Sequence, residues 1–139
     1  MNPAQGELLV PAQIEYLDAV QAFIDARLTQ ADFPAKAKMK IAVAAEEIFV
    51  NIASYAYAPG GGDVRVLFEF TAAGDAKLTF CDRGVPYDPL SREDPDVSLG
   101  AAARDVGGLG VYMVKKSMDD MRYTYRDGQN ILTLIKGRG

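Results

Sequence analysis

Apolar side chains recur along the chain with two different periods, which separate helical from extended segments. From residue 17 onward, a spacing of three or four residues marks one face of an amphipathic helix, formed by Leu17, Val20, Ile24 and Leu28. We expect Pro11 in the first turn of this helix, where its missing N–H group costs nothing. A second, alanine-rich helix is predicted from Pro34 to about Tyr57, and Pro59–Gly62 ends it.

Segments that alternate between apolar and polar residues predict strands in the rest of the chain. The expected strands are 6–10, 64–70, 77–82, 122–125 and 131–136. A long loop at 83–106 leads to a third helix at about 109–119. Because the strands come in adjacent pairs, we predict an α+β fold. It would be a two-layer sandwich in which a mixed, mostly antiparallel sheet carries the helices on one face.

Charge and length narrow the classes of function. The 139 residues include 15 Lys and Arg, 19 Asp and Glu, and no His, giving a formal charge of −4. This length predicts one domain over 1–139. The acidic balance argues against direct nucleic-acid binding, which needs clustered cations. The absence of His excludes Ser-His-Asp catalysis, His-ligated metals and phosphohistidine chemistry on this chain.

The cellular compartment is indicated by one cysteine and by the absence of long apolar runs. Cys81 has no second cysteine to pair with, which is typical of a reducing compartment. The N-terminus lacks the basic and apolar pattern of a signal peptide. No stretch approaches the roughly 18 apolar residues of a membrane span. We therefore expect a cytoplasmic protein without a membrane partner.

A first candidate for chemistry lies on the long helix. Glu47 and Asn51 are four residues apart, which predicts that their side chains share one helix face. Unpaired polar groups on a buried face would cost about 1–3 kcal/mol each, so these side chains need partners. A phosphate-bound Mg²⁺ would suit Asn51, and Glu47 could accept a proton from an attacking hydroxyl group. The alternative is an ordinary polar pair on the helix surface.

Two glycine-containing segments are further candidates. Asp82 shares a strand face with Leu78 and Phe80, where its carboxylate could accept a hydrogen bond from the amino group of adenine. Gly84 would let a planar base approach the backbone, although Asp-x-Gly is also common in plain turns. Gly107–Gly110 opens a predicted helix, whose free N–H groups favour phosphate. The alternative for this segment is a flexible connection.

In this order, the three segments resemble the Bergerat-fold ATP-binding domains of the GHKL superfamily. Within it, the nearest resemblance is to the bacterial anti-sigma-factor serine/threonine kinases. The segments that carry the resemblance are AVAAEEIFVNIASYAY, CDRGVPYDP, GGLGVYMVKKSMDDM and the closing RDGQNILTLIK. It extends from about residue 7 to residue 136. One departure is Tyr55, which stands where these kinases often carry His.

The resemblance implies a role for each matching residue. Glu47 would be the catalytic base, Asn51 the Mg²⁺ ligand and Asp82 the acid that reads adenine. The other residues implied to bind the nucleotide are Gly84, Gly107, Gly108, Leu109 and Gly110. Residues 86–106 would form a lid over ATP. Within the lid, Arg104 is the preferred phosphate contact, and Arg92 is its competitor.

The resemblance also implies a function. The protein would use ATP and Mg²⁺ to phosphorylate a small anti-sigma-factor antagonist, would hold a sigma factor while ATP is bound, and could form a homodimer. The first alternative is a nucleotide-binding regulatory module that acts by contact without catalysis. A detached histidine-kinase domain would need a separate phosphoacceptor and ranks lower. An ATPase of DNA repair or topology ranks lowest.

Overall fold

A computed structural model describes residues 5–57, 61–91 and 106–139. The helices and strands are β1 (Gly6–Pro11), α1 (Leu17–Gln30), α2 (Ala35–Tyr55), β2 (Asp63–Phe70), β3 (Ala76–Asp82), α3 (Val106–Ser117), β4 (Asp120–Arg126) and β5 (Gln129–Lys136). A 3-10 turn at Ile14–Tyr16 precedes α1, and another at Pro89–Ser91 follows β3.

The five strands form one sheet in the order β1-β2-β3-β5-β4. Each described pairing is antiparallel. The register places Asp82, the last residue of β3, opposite Val64 on β2 and Asn130 on β5. The predicted α+β sandwich is confirmed, and its described sheet is antiparallel rather than mixed.

The core lies between one face of this sheet and the helices. Alternate residues of the central strands point into it and are almost completely buried, among them Val64, Val66, Leu78 and Phe80. Residues of α1 and α2 complete the same cluster, including Ile24, Leu28, Ile41, Ala44, Ala45 and Phe49. Because alanine has a short side chain, α2 can lie close to the sheet while it contacts both α1 and α3. This arrangement fixes α2, which carries Glu47 and Asn51.

The prediction that Pro11 opens a helix is wrong. Pro11 is the last residue of β1 and pairs with Asp63 of β2, and α1 begins only at Leu17. Within the described sheet, β1 is an edge strand with β2 as its one neighbour, and a proline without an N–H group is tolerated at such an edge. Pairing with β2 therefore decides the conformation of this residue.

Two other element boundaries differ from the prediction. Helix α3 begins at Val106, so Gly107–Gly110 lies inside its first turns rather than in a connection before it. Glycine costs about 1 kcal/mol in a helix, but packing of α3 against α2 outweighs that local preference. The closing hairpin is longer than predicted because β4 and β5 extend to a two-residue turn. Asp127 and Gly128 there both have positive φ, as a type I′ turn requires.

Candidate functional site

The carboxyl end of β3 forms one end of the candidate site. Asp82 is only 5% exposed, and its Oδ1 accepts hydrogen bonds from the Gly84 N–H group and from Asn130 Nδ2, each at 2.9 Å. Val85 N–H donates to the Ala56 carbonyl at the end of α2, 2.9 Å away. A Cβ at Gly84 would overlap that same carbonyl oxygen. The close approach of α2 therefore requires glycine at position 84, and the approach of a base to Gly84 stays a prediction.

Asp82 opens onto a pocket with mainly apolar walls. Its lining includes Ile48 and Ile52 of α2, Leu132 of β5, and Val85 and Pro89 from the segment after β3. Such a cleft, with one carboxylate, suits a flat ring that carries a hydrogen-bond donor on its edge.

Asn130 is part of this pocket, and sequence reasoning missed it. Its Nδ2 donates to Asp82 Oδ1 and also to the Val85 carbonyl at 2.9 Å. Its Oδ1 accepts the Tyr87 N–H group at 3.0 Å and the Tyr123 hydroxyl group. Asn130 is followed in β5 by the inward-facing Leu132 and Leu134. An asparagine on the apolar face of a predicted strand is a signal that could have found it, because a buried amide needs several partners.

Tyr57 was also missed, and it connects three parts of the fold. Its hydroxyl group donates to the Asp63 carbonyl at 2.6 Å and accepts the Arg83 N–H group at 2.7 Å. Its ring lies against Gly62, where a Cβ would overlap it. Burial raises the pKa of Tyr57, and the hydrogen bond from Arg83 offsets part of that rise. Tyr57 thus fixes the backbone directly after Asp82 relative to the end of α2.

The other end of the candidate site lies between α2 and α3. Asn51 Nδ2 donates to Glu47 Oε1 at 3.2 Å, so the two side chains share a helix face as predicted. The Glu47 carboxylate lies against Gly110 of α3, where a Cβ would overlap it. This hydrogen bond uses Nδ2, and Asn51 Oδ1 accepts no hydrogen bond from the described residues. The packing of α2 against α3 thus places the Glu47 carboxylate, the Asn51 amide oxygen and the Gly110 backbone close together.

The two ends adjoin along α2, where they share two lining residues. Asn51 and Tyr55 line both the apolar pocket and the groove beside Glu47. Tyr55 is 67% exposed and therefore available to a ligand in either part. This cleft, made of the two adjoining cavities, suits an elongated molecule that has a flat apolar ring at the Asp82 end and polar groups at the Glu47 end.

The remaining predicted site residues are in or before α3. Gly107, Gly108 and Leu109 lie in its first turn, where backbone N–H groups have no partner within the helix. Gly110 follows them beside Glu47. Arg104, its competitor Arg92 and most of the predicted lid at 86–106 lie outside the described residues.

The donor atoms at the Glu47 end are suited to a hard cation that is shared with a ligand. Asn51 Oδ1 and the Glu47 carboxylate are oxygen donors, which Mg²⁺ prefers. The described residues contain no group of three or more His, Cys, Asp or Glu side chains able to hold a metal. Mg²⁺ commonly takes only one or two protein ligands and completes its shell with phosphate oxygens and water. The residues present therefore fit Mg²⁺ that arrives with a phosphate ligand.

An antiparallel sheet covered by helices, with an acid and an amide on one helix opposite a glycine-rich helix start, agrees with a kinase-like ATPase domain. The family model of the histidine kinase-like ATPase domain matches residues 10–136, and the chain belongs to this family. Among the described helices, none is both long and apolar enough to cross a membrane.

Relatives with similar sequences are named as protein kinases. The serine/threonine-protein kinase BtrW of Bordetella bronchiseptica is 29% identical over 100 residues, covering 72% of this chain and 70% of its own. The serine-protein kinase RsbW of Listeria monocytogenes is 25% identical over 130 residues, covering 90% of this chain and 82% of its own.

Solved structures share the fold at lower identity. The RsbU and RsbW domains of Rv1364c from Mycobacterium tuberculosis match with a TM-score of 0.66 and 18% identity over 95% of this chain. The match spans 32% of that longer chain. The histidine kinase domain of the Erythrobacter litoralis EL346 blue-light activated histidine kinase matches with a TM-score of 0.57 and 14% identity, covering 93% of this chain and 62% of that one.

Proposed function

We propose that the protein binds Mg·ATP in this cleft and transfers the γ-phosphoryl group to a serine or threonine of a partner protein. The observation that carries the proposal is that the two halves of the cleft adjoin at Asn51. Asn51 lines both the apolar pocket at Asp82 and the groove at Glu47. A nucleotide has the matching shape, with an aromatic base at one end and phosphates at the other.

The pocket at Asp82 would hold the adenine ring. Ile48, Ile52 and Leu132 offer apolar surface to the ring. Asp82 Oδ2 accepts no hydrogen bond from the described residues, so it is available to the exocyclic amino group of the base. This assignment of Asp82 follows the resemblance and agrees with the chemistry of the pocket walls.

The start of α3 would hold the phosphates. The N–H groups of Gly107, Gly108 and Leu109 are free of intrahelical partners, and the helix dipole adds a partial positive charge there. Asn51 Oδ1, and the phosphate oxygens themselves, would hold Mg²⁺, which neutralises charge on the phosphates when bound. Arg104 would add a contact from the lid.

Glu47 would act as the catalytic base. Its Oε1 receives the hydrogen bond from Asn51, and the carboxylate also lies against Gly110. Held in this way, Glu47 can take the proton of an incoming hydroxyl group. The hydroxyl oxygen then attacks the γ-phosphorus in line with the departing ADP.

The partners follow from the resemblance and from the names of the relatives. Two of these are serine or serine/threonine-protein kinases, which supports a protein hydroxyl group as the acceptor. The acceptor would be a small anti-anti-sigma protein in the cytoplasm. The ATP-bound protein, as a homodimer, would hold a sigma factor until that antagonist arrives.

The test is phosphotransfer from γ-labelled ATP to small proteins encoded beside this one. Wild type and the control Glu15→Gln, an exposed acid outside the cleft, should both label a serine or threonine. Glu47→Gln should bind ADP as wild type does and transfer no label. Nucleotide binding by wild type without transfer to any acceptor would favour the non-catalytic regulatory module. Absence of nucleotide binding would refute the proposal.

A further inference from the structure

Asn130 is buried, and each side of its amide group has its own partners. Nδ2 donates to Asp82 Oδ1 and to the Val85 carbonyl, both at 2.9 Å. Oδ1 accepts the Tyr87 N–H group at 3.0 Å and the Tyr123 hydroxyl group. Asn130 is 6% exposed, so water cannot readily replace these partners.

The direction of this amide is determined by its neighbours. A backbone N–H group only donates and a carbonyl only accepts. If the amide rotated by half a turn, its NH2 group would face the Tyr87 N–H group and its oxygen would face the Val85 carbonyl. Two mismatched contacts in a buried position would be strongly unfavourable. Asn130 therefore always presents a donor to residue 82.

A second donor reaches the same atom of residue 82. The Gly84 N–H group also donates to Asp82 Oδ1 at 2.9 Å. The atom at this position must consequently be an acceptor, whichever residue stands there. The other terminal atom of the side chain receives no hydrogen bond from the described residues and is the one that a ligand in the pocket can meet.

We propose that Asn130 is a positioning residue that fixes which atom of residue 82 faces the purine, and thereby sets selection between 6-amino and 6-oxo purine nucleotides. This inference rests on the proposed nucleotide site. In the wild type, both carboxylate oxygens are acceptors, so the pocket receives an acceptor that suits the 6-amino group of adenine. The 6-oxo group of hypoxanthine would meet it as a second acceptor and be repelled.

Asp82→Asn should reverse the nucleotide preference rather than only weaken binding. Asn130 and Gly84 hold the new amide oxygen at the former Oδ1 position, so its NH2 group must face the pocket. The variant then offers a donor where the wild type offers an acceptor. Its preference should change from the adenine nucleotide to the hypoxanthine nucleotide by about tenfold or more.

The experiment is calorimetric titration of the full chain with ADP and with inosine diphosphate, which differs from ADP at the 6-position and in the proton on N1. Wild type should prefer ADP, and Asp82→Asn should prefer inosine diphosphate. In the double variant Asp82→Asn with Asn130→Ala, water can fill the space and serve as donor or acceptor. The amide is then less constrained, and the reversed preference should shrink severalfold. Asn130→Ala alone should keep the preference for ADP with weaker binding, because Asp82 is an acceptor in either orientation.

The possible titration results test the nucleotide site and the role of Asn130 separately. No binding of either nucleotide by wild type would refute the proposed nucleotide site itself. Wild-type preference for ADP without reversal in Asp82→Asn would overturn the inference while leaving that site intact. Full reversal in the double variant would assign the effect to Gly84 alone. If Asp82→Asn fails to fold, hydrogen exchange of the Asn130 side-chain NH2 in the wild type decides, because both protons should be protected and free exchange of either would overturn the assignment.

Discussion

The carboxylate of Glu47 occupies the space that a side chain at Gly110 would need. The overlap would involve the far end of the flexible Glu47 side chain, so Gly110→Ala should displace the carboxylate without disrupting the helices. The displaced Glu47 would lose its 3.2 Å hydrogen bond from Asn51. Alanine is also the better helix former by about 1 kcal/mol. Gly110→Ala should therefore leave the fold and its stability unchanged, but it should move the carboxylate of the proposed base, Glu47.

We expect Gly110→Ala to reduce phosphotransfer at least about a hundredfold, the lower range of a general base's contribution. Its urea midpoint should equal or exceed that of wild type. The matched control is Gly139→Ala, where a Cβ would contact nothing. Wild-type transfer rates in Gly110→Ala would contradict the role of this contact.

Gly84→Ala should lower the stability of the fold, in contrast to Gly110→Ala. Here the added Cβ would overlap the backbone carbonyl of Ala56, which cannot move without shifting the end of α2. The Val85-to-Ala56 hydrogen bond crosses the same contact. We expect a loss of about 1–3 kcal/mol in the free energy of unfolding, typical of overpacking, together with weaker ADP binding. Urea denaturation and calorimetry measure the two effects, and an unchanged unfolding free energy would show that the α2 end is not held against Gly84.

Arg138 fastens the end of the chain to the turn between α1 and α2. Its guanidinium group donates to the Ala31 and Asp32 carbonyls at 2.8 and 3.0 Å, and its Cζ lies 4.6 Å from the centroid of the Phe33 ring. We expect Arg138→Ala to cost about 1 kcal/mol, seen as a lower thermal midpoint, with ADP affinity unchanged. Arg138→Lys should retain part of this stability. Equal midpoints in all three proteins would mean that the contact contributes nothing.

The local pattern of apolar and polar residues was enough to predict most helices and strands. It also predicted the relative placement of side chains that are close in sequence. The four-residue spacing of Glu47 and Asn51 was enough to predict their shared face, since helix geometry alone decides it. The strand alternation predicted that Asp82 lies on the core side with Leu78 and Phe80, and Asp82 is buried. The roles of these residues in binding and catalysis stay predictions.

Contacts between distant segments could not be read from local pattern. Asn130 meets Asp82 across 48 residues because β3 pairs with β5, and no local spacing encodes that pairing. Pro11 was assigned to a helix because its own preferences allow one, yet pairing with β2 holds it in a strand. Helix α3 likewise begins at Val106 because it packs against α2, despite its glycines.

Stability should fall in alkaline solution because burial raises the pKa of Tyr57, Cys81 and Tyr123. A group whose pKa is higher in the folded state binds its proton more tightly there. Its stabilising effect is complete below the pKa of the unfolded chain, about 8.5 for Cys and 10 for Tyr. It is lost as the pH rises through the folded-state values. The free energy of unfolding should thus decline from about pH 8.5 upward.

Urea denaturation at several pH values between 7 and 11 measures this decline, and absorbance at 295 nm follows the tyrosines directly. Tyr57→Phe should lower stability at neutral pH by about 1 kcal/mol, since it removes the hydrogen bonds to Asp63 and Arg83. The same variant should show a shallower alkaline decline, because the Tyr57 proton no longer contributes. Tyr112→Phe is the control, because the Tyr112 hydroxyl group makes no hydrogen bond to the residues that the structure describes, and it should follow the wild-type curve. A Tyr57→Phe curve parallel to that of the wild type would show that Tyr57 keeps its unfolded-state pKa.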